Sequence, residues 1–440
     1  MVYKGRKIQT LMPITGLVLS GLFPDADALE LTGQAHYRLG WQIDDQEAQV
    51  SELILHPHIG ARLSNNFNLS ARAILRADQQ DRLEPGQATQ STSSKWNQRW
   101  YVNDNIDFEL RELYADGYLG SWNLRLGKQQ LAWGQADSIR ILDIVNPINY
   151  REFILQDQES LRIPLWMVNT DISVSGGSLQ LLWIPDTTYD EMPQGNATYT
   201  FTSKDYIPVP PGNIAVTLLP LAKPDSPWQD SEYGLRWQSF VAGWDLSLNY
   251  LYHYIDHPSF YIVSTGGGVI VRPQYHRSHL FGGSLSSAVG DVVTRFEVGY
   301  ETDGYWLAST DTEPDGVADS PSLAYLVGVD YSGLGTALIS FQLYQLFLTD
   351  YNNSIIRSAA RTQVSVVLKQ PLLNQSLNID AKLVHSTTGK DGLVQLQADY
   401  LLTASMQIQL GLDMFYGSDE KLFGQFADTN RLKLKFTKNF

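Results

Sequence analysis

From about residue 29 to the C-terminus, apolar and polar side chains alternate one by one in segment after segment. In 429–440, Leu432, Leu434, Phe436 and Phe440 alternate with Arg431, Lys433, Lys435, Thr437 and Asn439. A strand sends successive side chains to opposite faces, so this segment has one greasy face and one basic face. The same pattern runs through 406–416, 394–402, 377–383, 244–254 and 31–42. Soluble sandwiches alternate too, so three further features matter. Apolar faces end in Trp or Tyr, as a membrane-interface girdle requires. The segments span about 10–13 residues, longer than ordinary soluble strands and matched to a tilted membrane crossing. Tight turns alternate with long connections at 79–105, 131–165, 187–229, 255–275, 304–320 and 417–429.

The pattern predicts an all-β protein: a transmembrane antiparallel up-and-down β-barrel of about 18 strands. Their starts fall near 30, 51, 67, 106, 121, 166, 178, 231, 243, 277, 291, 321, 335, 357, 375, 392, 405 and 429. Sixteen strands is the alternative, because the segments at 178 and 277 alternate weakly. An even number puts both ends on one side, so the first and last strands can pair and remove the edges that lipid does not tolerate. Phe440, with Phe436 on the same face, has the form of an assembly signal for the outer-membrane barrel machinery. Lys438 departs from that form.

Composition changes the picture in three places. Beyond the N-terminus no apolar run is long enough for a membrane helix. Cysteine is absent, which excludes disulfides and thiolate metal sites. Residues 1–28 have the form of a signal peptide: Lys4, Arg6 and Lys7, then the mostly apolar 8–23, then Ala26-Asp27-Ala28. The barrel domain is then 29–440. Removing 1–28 takes away three basic and two acidic residues, so the net charge of −15 becomes −16. That acidity excludes nucleic acid as a partner. The partners expected are outer-membrane lipids and lipopolysaccharide.

Residues 131–165 stand apart. Ile139, Ile141, Leu142, Ile144 and Val145 predict a short helix capped at Asp137 or Ser138 and ended by Asn146-Pro147. Phe153-Ile154-Leu155 predicts a second helical turn. A loop this apolar must pack, and the barrel interior is the available place. It is therefore expected to fold inward as a constriction or plug, carrying Asp137, Arg140, Asp143, Arg151, Glu152 and Arg162. The polar wall face adds Arg72, Arg76, Arg111, Arg125, Arg361, Arg431, Lys433 and Lys435, with Asp107, Glu109, Glu297, Asp399 and Asp413 as facing acids. Two uses follow: a transverse field that sorts solutes by charge, or a salt-bridge network that fixes the loop.

The stretch LRLGKQQLAWGQADSIRILDIVNP (124–147), with REFIL (151–155) and RIPLWMVN (162–169), resembles the signature of a Gram-negative outer-membrane family catalogued only as a domain of unknown function. A weaker similarity points to 18-stranded polysaccharide-export barrels. The family resemblance implies an outer-membrane protein, often encoded beside resistance-nodulation-division exporters. It brings no catalytic residues.

Other chemistry is sparse. Asp311, Glu313, Asp315 and Asp319 have the spacing of half a calcium loop, but Ser322 stands where a bidentate Glu belongs. A solvated acidic outer loop accounts for them. His56 and His58 share a strand face, and lumen-facing polar roles account for both. No GxSxG motif is present and no cofactor is implied. The expected function is a porin-like channel for passive movement of small solutes, narrowed by 131–165. The rivals are a conduit for apolar compounds working with a periplasmic partner and an exporter, and a closed structural or adhesin barrel.

Overall fold

The computed structural model describes residues 29–136, 139–208 and 214–440. Residues 1–28, read above as a signal peptide from the sequence, and Asp137 and Ser138 lie outside the described residues. Eighteen antiparallel strands close into a barrel: β1 Leu29–Gln42, β2 Glu47–Arg62, β3 Phe67–Asp78, β4 Ile106–Leu119, β5 Trp122–Gln129, β6 Leu165–Val174, β7 Gly177–Ile184, β8 Glu232–Val241, β9 Trp244–Tyr254, β10 Arg277–Val289, β11 Val292–Glu301, β12 Ser322–Leu334, β13 Ala337–Leu348, β14 Ala360–Leu372, β15 Leu377–Ser386, β16 Asp391–Thr403, β17 Met406–Tyr416 and β18 Arg431–Asn439. The weakly alternating segments at 178 and 277 are both wall strands, which removes the 16-stranded alternative. A short strand, Trp100–Asn103, pairs onto the outer end of β4.

Closure joins β1 to β18 from Gln34↔Asn439 to Gln42↔Arg431. Phe440 extends the seam: Gly33 and Phe440 exchange backbone hydrogen bonds at 2.9 and 3.0 Å. The burial pattern is inside out. Leu432 is 52% exposed while its neighbour Arg431 is 3% exposed, and Glu52, Glu297 and Asp413 are fully buried. Water cannot produce that arrangement, because a buried charge needs partners and an exposed apolar stripe needs cover. Lipid outside and a polar lumen satisfy both. No helix among the described residues is long and apolar enough to cross a membrane; the crossings are strands. Tyr118, Trp122, Phe240, Trp244 and Tyr331 are exposed near the short-turn end, and Trp41, Trp100 and Tyr233 near the long-loop end. Short turns face the periplasm in such barrels, so the long loops are external.

One expectation fails here. Residues 139–146 are irregular and form no helix, and 151–154 make turns; the loop's helix is the four-residue Gln158–Leu161. Tertiary packing overrides the helical spacing, because the apolar side chains are drawn to a groove in the wall rather than to one helix face.

Candidate functional site

The connection between β5 and β6, residues 130–164, folds into the barrel and is held at several places. Its first half lies against the wall from β6 to β13. Trp133, Ile141, Leu142 and Val145 form one apolar cluster with Leu165, Met167, Leu182, Ile184, Leu251, Leu280, Ala324, Leu326 and Tyr344. Gly282 and Gly299, paired across β10 and β11, open the groove that this requires. A Cβ on Gly282 would stand 2.2 Å from the Leu142 side chain, and one on Gly299 would stand 2.8 Å from Ile141. Beside the groove, the buried Glu297 carboxylate accepts the backbone N–H groups of Gln135 at 2.6 Å and Leu142 at 2.8 Å. Arg295 donates to the Gln135 carbonyl at 2.6 Å. The Trp133 indole N–H donates to Gln180 at 2.9 Å.

Asn146 fastens the two limbs of the loop together. It accepts the Leu131 N–H at 2.8 Å and donates to the Ile163 carbonyl at 2.8 Å. Arg162 and Asp143 pair at 2.6 Å. Arg140 donates to the carbonyls of Asp143 and Asn146. From the wall, Arg111 donates to the carbonyls of Glu159, Ser160 and Arg162, at the end of the short helix, at 2.7, 3.2 and 2.5 Å.

The second half crosses to the other side of the barrel. Phe153, with φ of 52°, enters an aromatic cluster with ring centroids 4.8 Å from Phe426, 5.7 Å from Phe201, 5.9 Å from Phe423 and 6.0 Å from Phe415. Beside it, Arg151 is 4% exposed and is surrounded by carboxylates: Glu52, Asp78 at 3.0 Å, Glu84 at 2.7 Å and Glu152 at 3.8 Å. Glu152 pairs in turn with Arg38 at 2.5 Å and Arg431 at 2.8 Å. Arg431 and Lys433 share Asp413 at 2.9 and 2.8 Å, and Arg38 also meets Glu52. Arg99 ties Glu84 to Glu191 of the neighbouring loop, each at 2.6 Å. Burial opposes the charged form of Glu152, yet Arg38, Arg431 and Arg151 hold its carboxyl below the ordinary range. Burial likewise opposes the Glu84 anion, and Arg99, Arg151 and Arg76 outweigh it.

Two cavities flank this network. The larger, about 910 Å³, extends toward the short-turn end as far as Gly33 and Phe440. Cationic Arg38, Arg72, Arg76, Arg111, Arg151, Arg431, Lys433 and Lys435 line it, against the carboxylates Glu109, Glu152, Asp157 and Glu159. The smaller, about 280 Å³, lies among residues 84–89 and 191–196 of the outer loops. Asn149 and Arg151 line both.

Most of the charges singled out in the sequence thus meet in one chamber or in the loop beside it. Arg76 pairs with Asp107 at 3.2 Å, Arg111 with Glu109 at 3.1 Å, and Arg72 with Glu159 at 2.9 Å. Arg125 stacks on Tyr114 and lies outside the chamber lining. Arg361 bonds the Tyr206 hydroxyl. His36 and His56 stack at 5.1 Å, and His58 bonds Thr32 and Ser70. Asp311, Glu313, Asp315 and Asp319 lie in the outer loop between β11 and β12, where Glu313 accepts the Ser354 hydroxyl at 3.3 Å; no group of three or more His, Asp or Glu among the described residues is placed to hold a metal ion. Arg38, Glu52, Asp78, Glu84, Arg99 and Glu191 are central to the network and were not singled out. Arg38 and Glu52 could have been found by laying β1 against β2, where they are directly opposed.

The architecture is that of an outer-membrane porin. OpdK from Pseudomonas aeruginosa matches with a TM-score of 0.53 at 11% identity, over 94% of this chain and 99% of that one. OpdK with vanillate gives 0.52 at 10% identity, over 94% and 99%. OccK2 (OpdF) of the same organism, in complex with glucuronate, gives 0.50 at 11% identity, over 95% and 98%. At such identities the likeness is one of fold. No curated protein matches this sequence. The family is fixed by sequence: the model of the DUF1302 family, described as a protein of unknown function, matches residues 66–353. The chain belongs to that family and is an outer-membrane β-barrel.

Proposed function

We propose that the protein is a porin-like channel through which small polar solutes diffuse, and that the loop 130–164 narrows it. The observation that carries this reading is the position of Asn149 and Arg151, which line both the outer pocket and the inner chamber. The loop tip is then the partition between outside and periplasm, and a solute must pass it. The chamber volume, about 910 Å³, lies in the range of small-molecule sites. Vanillate and glucuronate, named with two of the solved barrels, are solutes of a size it would admit. Purified protein in planar bilayers should give stable ohmic steps. Silence that persists when 137–160 are deleted would refute a channel and favour a closed barrel.

A further inference from the structure

Among the described residues, the inner chamber holds one cation that the salt-bridge network leaves over. Lys433 is satisfied by Asp413 at 2.8 Å. Lys435, the next inward residue on β18, has no carboxylate within ion-pair distance among the described residues. In the two ladders it faces Arg38 of β1 and Gln409 of β17. The wall acid on that side, Asp399, is engaged by the amides of Gln397, Gln407 and Gln409 at 2.6, 2.8 and 2.7 Å. A half-buried ammonium with no carboxylate in contact, on which Asp157 and Asp399 act only from beyond ion-pair distance, is costly, and an incoming anion lowers that cost.

The same chamber is not uniformly polar. Ile54 and Ile74 line it among the basic residues, and so do His36 and His56, whose rings stack at 5.1 Å. Inorganic anions gain nothing from such groups. We propose that the chamber is a binding site for small organic carboxylates: the carboxylate meets Lys435, and the apolar body lies against Ile54, Ile74 and the paired imidazoles. The site rests on the reading of the lumen as a solute path and names the solutes that path favours. It lies on the periplasmic side of the Arg151 partition, so bound anion is held after the narrowest point.

Two measurements on the full barrel test this. Isothermal titration of the detergent-solubilised protein uses benzoate and its uncharged isostere benzamide as probes. Benzoate should bind and benzamide should not. Lys435→Gln should weaken benzoate about tenfold, as loss of one charge-assisted contact does. Lys435→Arg should largely restore it, which separates charge from disturbed folding. Lys438→Gln, on the same strand but outside the lumen, should leave it unchanged. Equal heats for benzoate and benzamide, or undiminished benzoate affinity in Lys435→Gln, would overturn the proposal. In bilayers under a salt gradient, Lys435→Gln should shift the reversal potential toward cations, and an unchanged potential would count against the site. If the bilayers stay silent while benzoate still binds through Lys435, the channel reading fails and the binding site stands.

Discussion

Replacing Arg151 by alanine tests the clamp at the loop tip. The side chain meets Glu52, Asp78, Glu84 and Glu152 and is almost fully buried. Removing one partner of a buried ion pair costs about 3–5 kcal/mol, because it leaves charge uncompensated. Here the lower end applies. Glu52 keeps Arg38, Glu84 keeps Arg99, and Glu152 keeps Arg38 and Arg431. Asp78 alone loses its ion-pair partner, retaining the N–H groups of Gln80 and Asp81. A loss of about 3 kcal/mol multiplies the population of loosened tip by roughly 10². The first half of the loop stays seated, since Ile141, Leu142 and the Glu297 bonds are untouched. Single-channel recording should therefore show larger, flickering steps, while heat-modifiable electrophoretic mobility shows an intact barrel. Arg151→Lys should fall between, because one ammonium cannot bridge carboxylates on several sides. Steps identical to wild type, with unchanged hydrogen exchange at 149–157, would refute the clamp.

Other outcomes follow from the same geometry. Gly282→Ala should unseat Ile141 and Leu142, since its Cβ would overlap Leu142; faster proteolysis within 130–147 checks this. Phe153→Ala should destabilise the aromatic cluster by about 3–5 kcal/mol, read as increased exchange at the tip without loss of the barrel. In the outer loops, burial raises the Asp190 carboxyl, and burial together with Asp190 and Glu232 raises that of Asp256. The folded loops then hold protons more tightly than unfolded chain, so their packing is firmest in acid. It weakens as pH rises above the ordinary aspartate value of about 4 and through the raised values. Limited proteolysis around 185–192 should accelerate over that rise, and Asp190→Asn should flatten the dependence.

Much of the barrel was legible because alternation and turn chemistry are local. The starts of β3 and β4 at residues 67 and 106 agree with the alternation pattern. That the loop packs inside was legible too, since Ile141, Leu142 and Phe153 had no other place to hide. Its conformation was not. Ile139 to Val145 carry helical spacing, but a glycine groove on β10 and β11, more than 130 residues away, decides where they go. The basic residues were visible one by one; which of them are neutralised depends on register across the closure and on acids such as Glu84 in another loop. Hence Arg151 looks like a free pore charge in the sequence and is a shared node in the structure, whereas Lys435 looks like one of a row and has no ion pair within contact distance among the described residues.

The most direct test of the central claim is the conductance of the barrel with and without residues 137–160. A channel narrowed by this loop predicts small ohmic steps for the intact protein and several-fold larger ones after the deletion. Steps of equal size would show that the loop does not narrow the path, and silence in both would show that no path exists.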